Sequence, residues 1–498
     1  MITLIVLMLL ISPRAVKHRS EPRWTNTSIC ESISTQLGER KLITSSPPAQ
    51  LQPAALSTAK NAAAKLMLWP LVAATFFMVS GGTYGTEDII HGAGYSQGIL
   101  ILLLTPILWS LPTAFMVGEL ASALPHEGGY YAWVRRGLGS FWGFQEAWLS
   151  LAASIFDMAI YPTLSVAYLT RLAPWFRVGH RELAVALGMV LACTALNLTG
   201  IRVVGFTSLW LFFLLSAPFA MIVLAAPFKA GSLAGAQTAP VTSTVGLLGG
   251  TLIAMWNYMG WDNASTIAQE VERPQHTYPR AMVAAVAVVA LSYILPVLAV
   301  HATGLPASTF ETGSWADVAG LMAGNWLRTA LVLGGMMSGF GMFNALVMSY
   351  SRLPLAMAQD GMLPQVFARV HPRTRAPWVS ILVCAAGWAL CLGLGFERLV
   401  TLDVMLYGAS LLLEFVTLVA LRIREPQLPR TFQVPGGLAG AILAGVVPML
   451  LLAVSALYSE SERLLGMNGL TFAALMILAG FVLYYATIPY RRNHGSGE

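Results

Sequence analysis

The sequence predicts an all-α polytopic membrane protein, on three observations. The 498 residues are 56% hydrophobic and 10% charged, with a mean hydropathy of +0.67, whereas soluble domains carry roughly 25% charged residues. Apolar stretches long enough to cross a bilayer, which takes about 20 helical residues, recur along residues 66–490. Two of them are interrupted near mid-depth by glycine and polar residues. Unwound backbone inside a membrane is tolerated only where it is buried in protein or lines a cavity, so each interruption predicts a binding site.

Taken in order, Met1–Ile11 is apolar but too short to span, and no basic residue precedes it as a secretory signal requires. Ser12–Lys65 is polar, basic and rich in Ser, Pro and Ala, a composition expected to stay disordered as a cytoplasmic tail. A start codon placed further on, at Met67 at the latest, would remove part of residues 1–65. The transporter domain is expected over 66–490. It opens with LMLWPLVAATFFMVSGGTYGTEDIIH (Leu66–His91), where Ser80-Gly81-Gly82 and Gly85 loosen the helix. Spans follow at 96–122, 141–170, 181–199, 203–227, 245–269, 280–302, 325–358, 377–396, 399–423, 438–458 and 467–490, twelve in all. The sixth contains the second fault, TLIAMWNYMGWDNASTIAQE (Thr251–Glu270), with Asn257, Gly260, Asp262 and Asn263 inside it.

The two faults lie 176 residues apart, Gly81 to Asn257. This spacing predicts two five-helix repeats, 66–227 and 245–424, each opening with its broken helix, with 438–490 supplying helices 11 and 12. An odd number of spans per repeat inverts one against the other and places a shared site near the midplane. With the N-terminus inside, the inner loops and the tail 491–498 hold 14 arginines against 7 basic residues outside, so both termini face the cytoplasm of a plasma-membrane protein. The outer segment Thr303–Gly324 is long enough for a lid helix.

Several functions are excluded. The net charge of +6 is spread over short loops rather than gathered in a patch, so no nucleic-acid partner is expected. Cys30, Cys193, Cys384 and Cys391 lack metal-type spacing, and neither metal nor cofactor is inferred. The chain has no Walker loop and no nucleophile–base constellation, which leaves a non-enzyme driven by gradients rather than ATP. A channel would need repeated polar rings along one pore, and none is visible.

Within the site, Gly81 and Gly82 are expected to present backbone N–H groups at the start of the outer half-helix, where the dipole favours a carboxylate. The carbonyls of Val79 and Ser80 would face an ammonium. Asn257, Tyr258 and Trp261 would line the pocket by the second break. Asp262 starts the inner half-helix and suits an N-cap as well as a proton relay. Asp157 stands in the middle of the third span with no basic residue within a turn, and an intramembrane acid is a functional candidate for proton coupling or amine recognition. Glu119 and Glu414 are expected to be solvated or paired toward helix ends, and Glu270, Glu272 and Arg273 to form salt links at the inner gate.

Four stretches carry a resemblance to the amino acid–polyamine–organocation superfamily over about residues 66–435. They are Ser80-Gly81-Gly82, GELASALPHEGGYYAWV (Gly118–Val134), WDNASTIAQEVERPQHTYPRAM (Trp261–Met282) and SRLPLAMAQDGMLP (Ser351–Pro364). VSGGTYGTED, FWGFQEAW, Phe156–Pro162 and Leu411–Pro426 are most similar to its plant polyamine-uptake branch. The resemblance implies a leucine-transporter-type fold with broken helices 1 and 6, and a gate role for Trp256, which resembles the aromatic that caps the substrate. It implies a permease for amino acids or polyamines, often proton-coupled. The polyamine branch is acidic in the eighth helix, where this chain has Asn344, Leu346 and Tyr350. The fifth helix offers Ser216 rather than the lysine of some members. The expected function is therefore amino-acid permeation by alternating access with a symported proton; a polyamine importer of the same fold is the alternative.

Overall fold

A computed structural model describes residues 66–125, 128–178, 180–199, 206–234, 244–458, 463–464 and 466–487. The expected tail and the C-terminal residues 488–498 lie outside this set. Among the described residues nine helices are long and apolar enough to cross a membrane, and two shorter apolar helices accompany them.

The chain opens with α1 (Leu68–Val79), buried on most of its residues. It stops at Ser80 because Gly81, Gly82 and Gly85 take φ of +64°, +116° and +86°, a left-handed backbone that glycine enters without a Cβ clash. The helix resumes as α2 (Glu87–Ala123), which turns sharply at Gly94 (φ +70°) and carries a π-helical turn at Pro106–Ser110. A short helix α3 (Gly129–Leu138) leads into α4 (Ser140–Leu172). Then come α5 (Arg181–Leu198), α6 (Phe206–Ala225) and α7 (Thr244–Asn257). The second break follows at Tyr258–Gly260, and the chain continues as a 3-10 helix, Trp261–Glu270. The remaining elements are α8 (Pro274–Ala302), α9 (Trp315–Ala323), α10 (Asn325–Gln359), α11 (Trp378–Leu390), α12 (Phe396–Arg424), α13 (Gly437–Tyr458) and α14 (Gly469–Ala486).

Burial sorts these helices. The most apolar windows of α4 and α12 are 83% and 89% buried, against 17% and 11% for α13 and α14, so α4 and α12 form the centre and the last two helices the periphery. Peripheral faces expose large apolar side chains such as Leu443, Val482 and Phe213, the surface that a lipid environment accepts and water does not. The chain is thus a mostly helical, multi-pass membrane protein. Arg424 donates to the Gly137 carbonyl just before α4 begins (2.7 Å), while Arg171 at the other end of α4 pairs with Glu311 and Asp317. α4 and α12 therefore run antiparallel, from a basic end to a far end.

Two links fix the ends. At the basic end Glu119 is fully buried between Arg422 (2.5 Å) and Arg430 (3.2 Å) and accepts the Val434 N–H at 2.7 Å. Helix pairing, one of the two expectations for Glu119, is what the structure contains. At the far end α9 forms within the expected lid segment. Glu87, at the start of α2, accepts hydrogen bonds from Gly313 N–H (3.0 Å), Gly85 N–H (2.7 Å) and the Tyr168 hydroxyl. The Trp315 indole donates to Thr86 at 3.2 Å, so the loop before α9 is tied to the first break. Glu272 and Arg273, expected at a gate, have exposed side chains beside a short parallel bridge between Leu66 and Val271; the side chain of Glu270 lies outside the described set.

Candidate functional site

The two breaks touch. The Asn257 side chain donates to the Gly85 carbonyl at 3.3 Å, and a Cβ on Gly260 (φ +90°) would lie 2.8 Å from the Met78 carbonyl oxygen. Their backbone polarity is largely used locally. Gly81 N–H donates to Phe76 O (3.3 Å), Gly82 N–H to the Ser80 hydroxyl (3.1 Å), and Ser338 donates to Gly81 O. Among the described residues no donor is recorded on the carbonyls of Val79 and Ser80.

Beside these breaks stands a group of buried carboxylates. Asp157, on α4, accepts hydrogen bonds from the Tyr161 hydroxyl (2.8 Å), the Tyr350 hydroxyl (3.0 Å) and the Trp256 indole (3.4 Å). That wiring joins α4, α7 and α10 at one point. Trp256 is held in turn edge-on against Phe396, the ring centroids 5.5 Å apart. Asp262 receives the Tyr407 hydroxyl at 2.5 Å, and that oxygen also accepts the Gly260 N–H at 3.2 Å. Asp403, on α12, is 1% exposed and has no hydrogen-bond partner on either oxygen among the described residues. It lies within electrostatic reach of both Asp157 and Asp262. Among the described residues no cationic side chain pairs with any of the three. Like charges in a site of low dielectric cannot all remain ionised unless a cation or protons join them.

The expected residues divide. Val79, Ser80, Gly81, Gly82, Trp256 and Asn257 gather at the touching breaks, and Asp157 and Asp262 flank them. Tyr258 and Trp261 are fully buried and turned to packing: the Tyr258 hydroxyl donates to Leu102 O (3.0 Å), and the Trp261 indole donates to Tyr258 O (2.7 Å). Asp403 is a site residue that the sequence reading misses, although LVTLDVMLYG is as apolar a setting as that of Asp157 and the same rule for intramembrane acids selects it. Glu146 and Glu87 were likewise visible only as letters in motifs. Glu414, expected near a solvated or paired helix end, is fully buried with both oxygens unpartnered among the described residues. The reason is that α12 is enclosed along nearly its whole length.

A buried, acid-lined centre at two broken membrane helices is the kind of site found in membrane transporters. The match to the amino acid permease family covers residues 72–484, and the chain belongs to that family. It is 34% identical over 428 residues to a probable polyamine transporter of Arabidopsis thaliana, covering 84% of this chain and 83% of the relative. It is 34% identical over 398 residues to the polyamine transporter RMV1 of the same plant, covering 79% and 80%. It is 35% identical over 403 residues to the polyamine transporter PUT1 of Oryza sativa subsp. japonica, covering 79% and 74%.

Proposed function

We propose that the chain is a secondary permease for polyamines, or organic dications of that kind, symported with protons. The observation that carries this reading is Asp403: a second buried carboxylate, without a donor, beside Asp157. A single acid suits one amine, whereas an acid pair plus the Val79 and Ser80 carbonyls suits a chain with an ammonium at each end. Asp403 on the tenth span supplies the anion that the eighth span lacks. The names of the three relatives point the same way. The amino-acid reading keeps the support of the family's name, but the amides it assigns to a carboxylate, those of Gly81 and Gly82, already have acceptors.

In this reading the helices form twelve spans, with α1–α6 and α7–α12 as inverted five-span repeats that rock about the breaks. The basic end faces the cytoplasm of the plasma membrane, and Trp256 covers the substrate. Purified protein in proteoliposomes, given putrescine, spermidine and a panel of amino acids with and without an inward proton gradient, tests the reading. Diamine uptake enhanced by the gradient is expected. Uptake of neutral amino acids alone would refute the polyamine assignment.

A further inference from the structure

A second group of acids lies beyond the substrate site on the same two helices. Eleven residues toward the basic end from Asp157 on α4 is Glu146, and eleven residues toward that end from Asp403 on α12 is Glu414. Eleven residues make about three helical turns, about 16 Å, and return to the same helix face, so antiparallel α4 and α12 carry two matched acid pairs along one seam. Glu146 and Glu414 are both 0% exposed and within electrostatic reach of each other. Ser150 donates to one oxygen of Glu146 at 2.9 Å; the other oxygen, and both of Glu414, have no partner among the described residues.

An independent element points into the same place. Tyr130, from α3, is fully buried, lies within reach of Glu146, Glu414 and Asp262, and has a hydroxyl beside Ser150 with no hydrogen bond of good geometry. The buried Thr417 hydroxyl on α12 also lacks a partner among the described residues. Among the described residues no cation pairs with the group: Arg422 and Arg430 are held by Glu119, Arg135 by Asp360 and Arg136 by Glu425, and Arg424 donates to Gly137 O. Asp262 stands between the two levels, within reach of Asp157 on one side and of Glu146 and Glu414 on the other.

We propose that Glu146 and Glu414 form a proton-holding station, separate from the substrate site, which receives the proton displaced by an arriving ammonium and releases it to the cytoplasm. The inference rests on the permease reading above. In the cycle, a protonated Asp403 gives its proton to the Asp262 carboxylate and is left as the anion that pairs with the ammonium. Asp262 passes the proton to Glu146 or Glu414, and opening of the basic end lets water take it as the substrate leaves. Asp403 is reprotonated from the far side. A proton suits this station better than an ammonium, because both side chains are fully enclosed. An alkylammonium needs a cavity there, whereas a proton needs only neighbouring carboxyls.

The test uses the whole protein in proteoliposomes containing a pH-sensitive dye. Wild type is compared with Glu146→Gln, Glu414→Gln, the double variant and the conservative Glu414→Asp, using putrescine. The Gln variants are expected to keep substrate–substrate exchange at equal pH, which also shows that they are folded. They are expected to lose both gradient-driven accumulation and the substrate-dependent dye signal, and Glu414→Asp to restore part of each. Accumulation intact in the double variant would overturn the proposal, as would parallel loss of exchange in folded protein, which would place the acids in the substrate path. Wild-type uptake without any dye signal would overturn it as well. If the vesicles carry an amino acid instead of a diamine, the polyamine reading fails, while the same measurements made with that amino acid still decide the station.

Discussion

Asp403→Asn separates charge from structure more cleanly than any other change at this site. The side chain keeps its shape, and no hydrogen bond is lost because neither carboxylate oxygen has a partner. Removing one member of a buried, hydrogen-bonded charge pair costs about 2–5 kcal/mol. At about 1.4 kcal/mol per decade, putrescine binding should therefore weaken by about 30-fold to several thousand-fold. The folded protein should not suffer: the Asp403 carboxyl makes no hydrogen bond among the described residues that the amide would lose, so the melting temperature of the substrate-free variant should hold. Competition binding on purified protein, alongside a thermal scan, measures both quantities. Unchanged diamine affinity in Asp403→Asn would refute the two-anion site, and a large drop in melting temperature would show that Asp403 is structurally satisfied after all.

Three further changes probe neighbouring parts. Asp157→Asn should lower both diamine affinity and thermal stability, since an amide cannot serve all three donors that Tyr161, Tyr350 and Trp256 direct at it; the same two assays read it. Gly81→Ala should abolish uptake per folded molecule. Its Cβ would lie 2.2 Å from the Met342 sulfur and 2.5 Å from the Ser338 hydroxyl at φ +64°, a strain of about 2–5 kcal/mol from left-handed backbone and overpacking together. Glu119→Gln should destabilise the fold by about 3–5 kcal/mol by stranding Arg422 and Arg430, seen as a lower melting temperature with substrate affinity little changed.

Much of this architecture was legible in the residues. The glycines at 81, 82, 85 and 260 announce the breaks because only they take the left-handed backbone found there. Lone acids in apolar runs announce buried charge. What could not be read was company. Asp157 and Asp403 are 246 residues apart in sequence and come within electrostatic reach only because α4 and α12 pack at the centre, so in the sequence each stands as a solitary acid. Tyr258 and Trp261 lie as close to the break as Trp256, but the direction of their rings depends on the path of the chain through it: the Tyr258 hydroxyl reaches Leu102 O on α2, and the Trp261 indole turns back onto Tyr258 O. Glu414 looks like a helix-end residue until the neighbours of α12 are in place.

The most direct test of the dication site is calorimetric titration of the purified protein with putrescine and with n-butylamine, which share a four-carbon chain and differ by one ammonium. Two buried carboxylates predict that putrescine binds at least about tenfold tighter in wild type, and that Asp403→Asn removes most of that difference. Equal affinity for the two amines in wild type, or tighter binding of a neutral amino acid than of either, would contradict it.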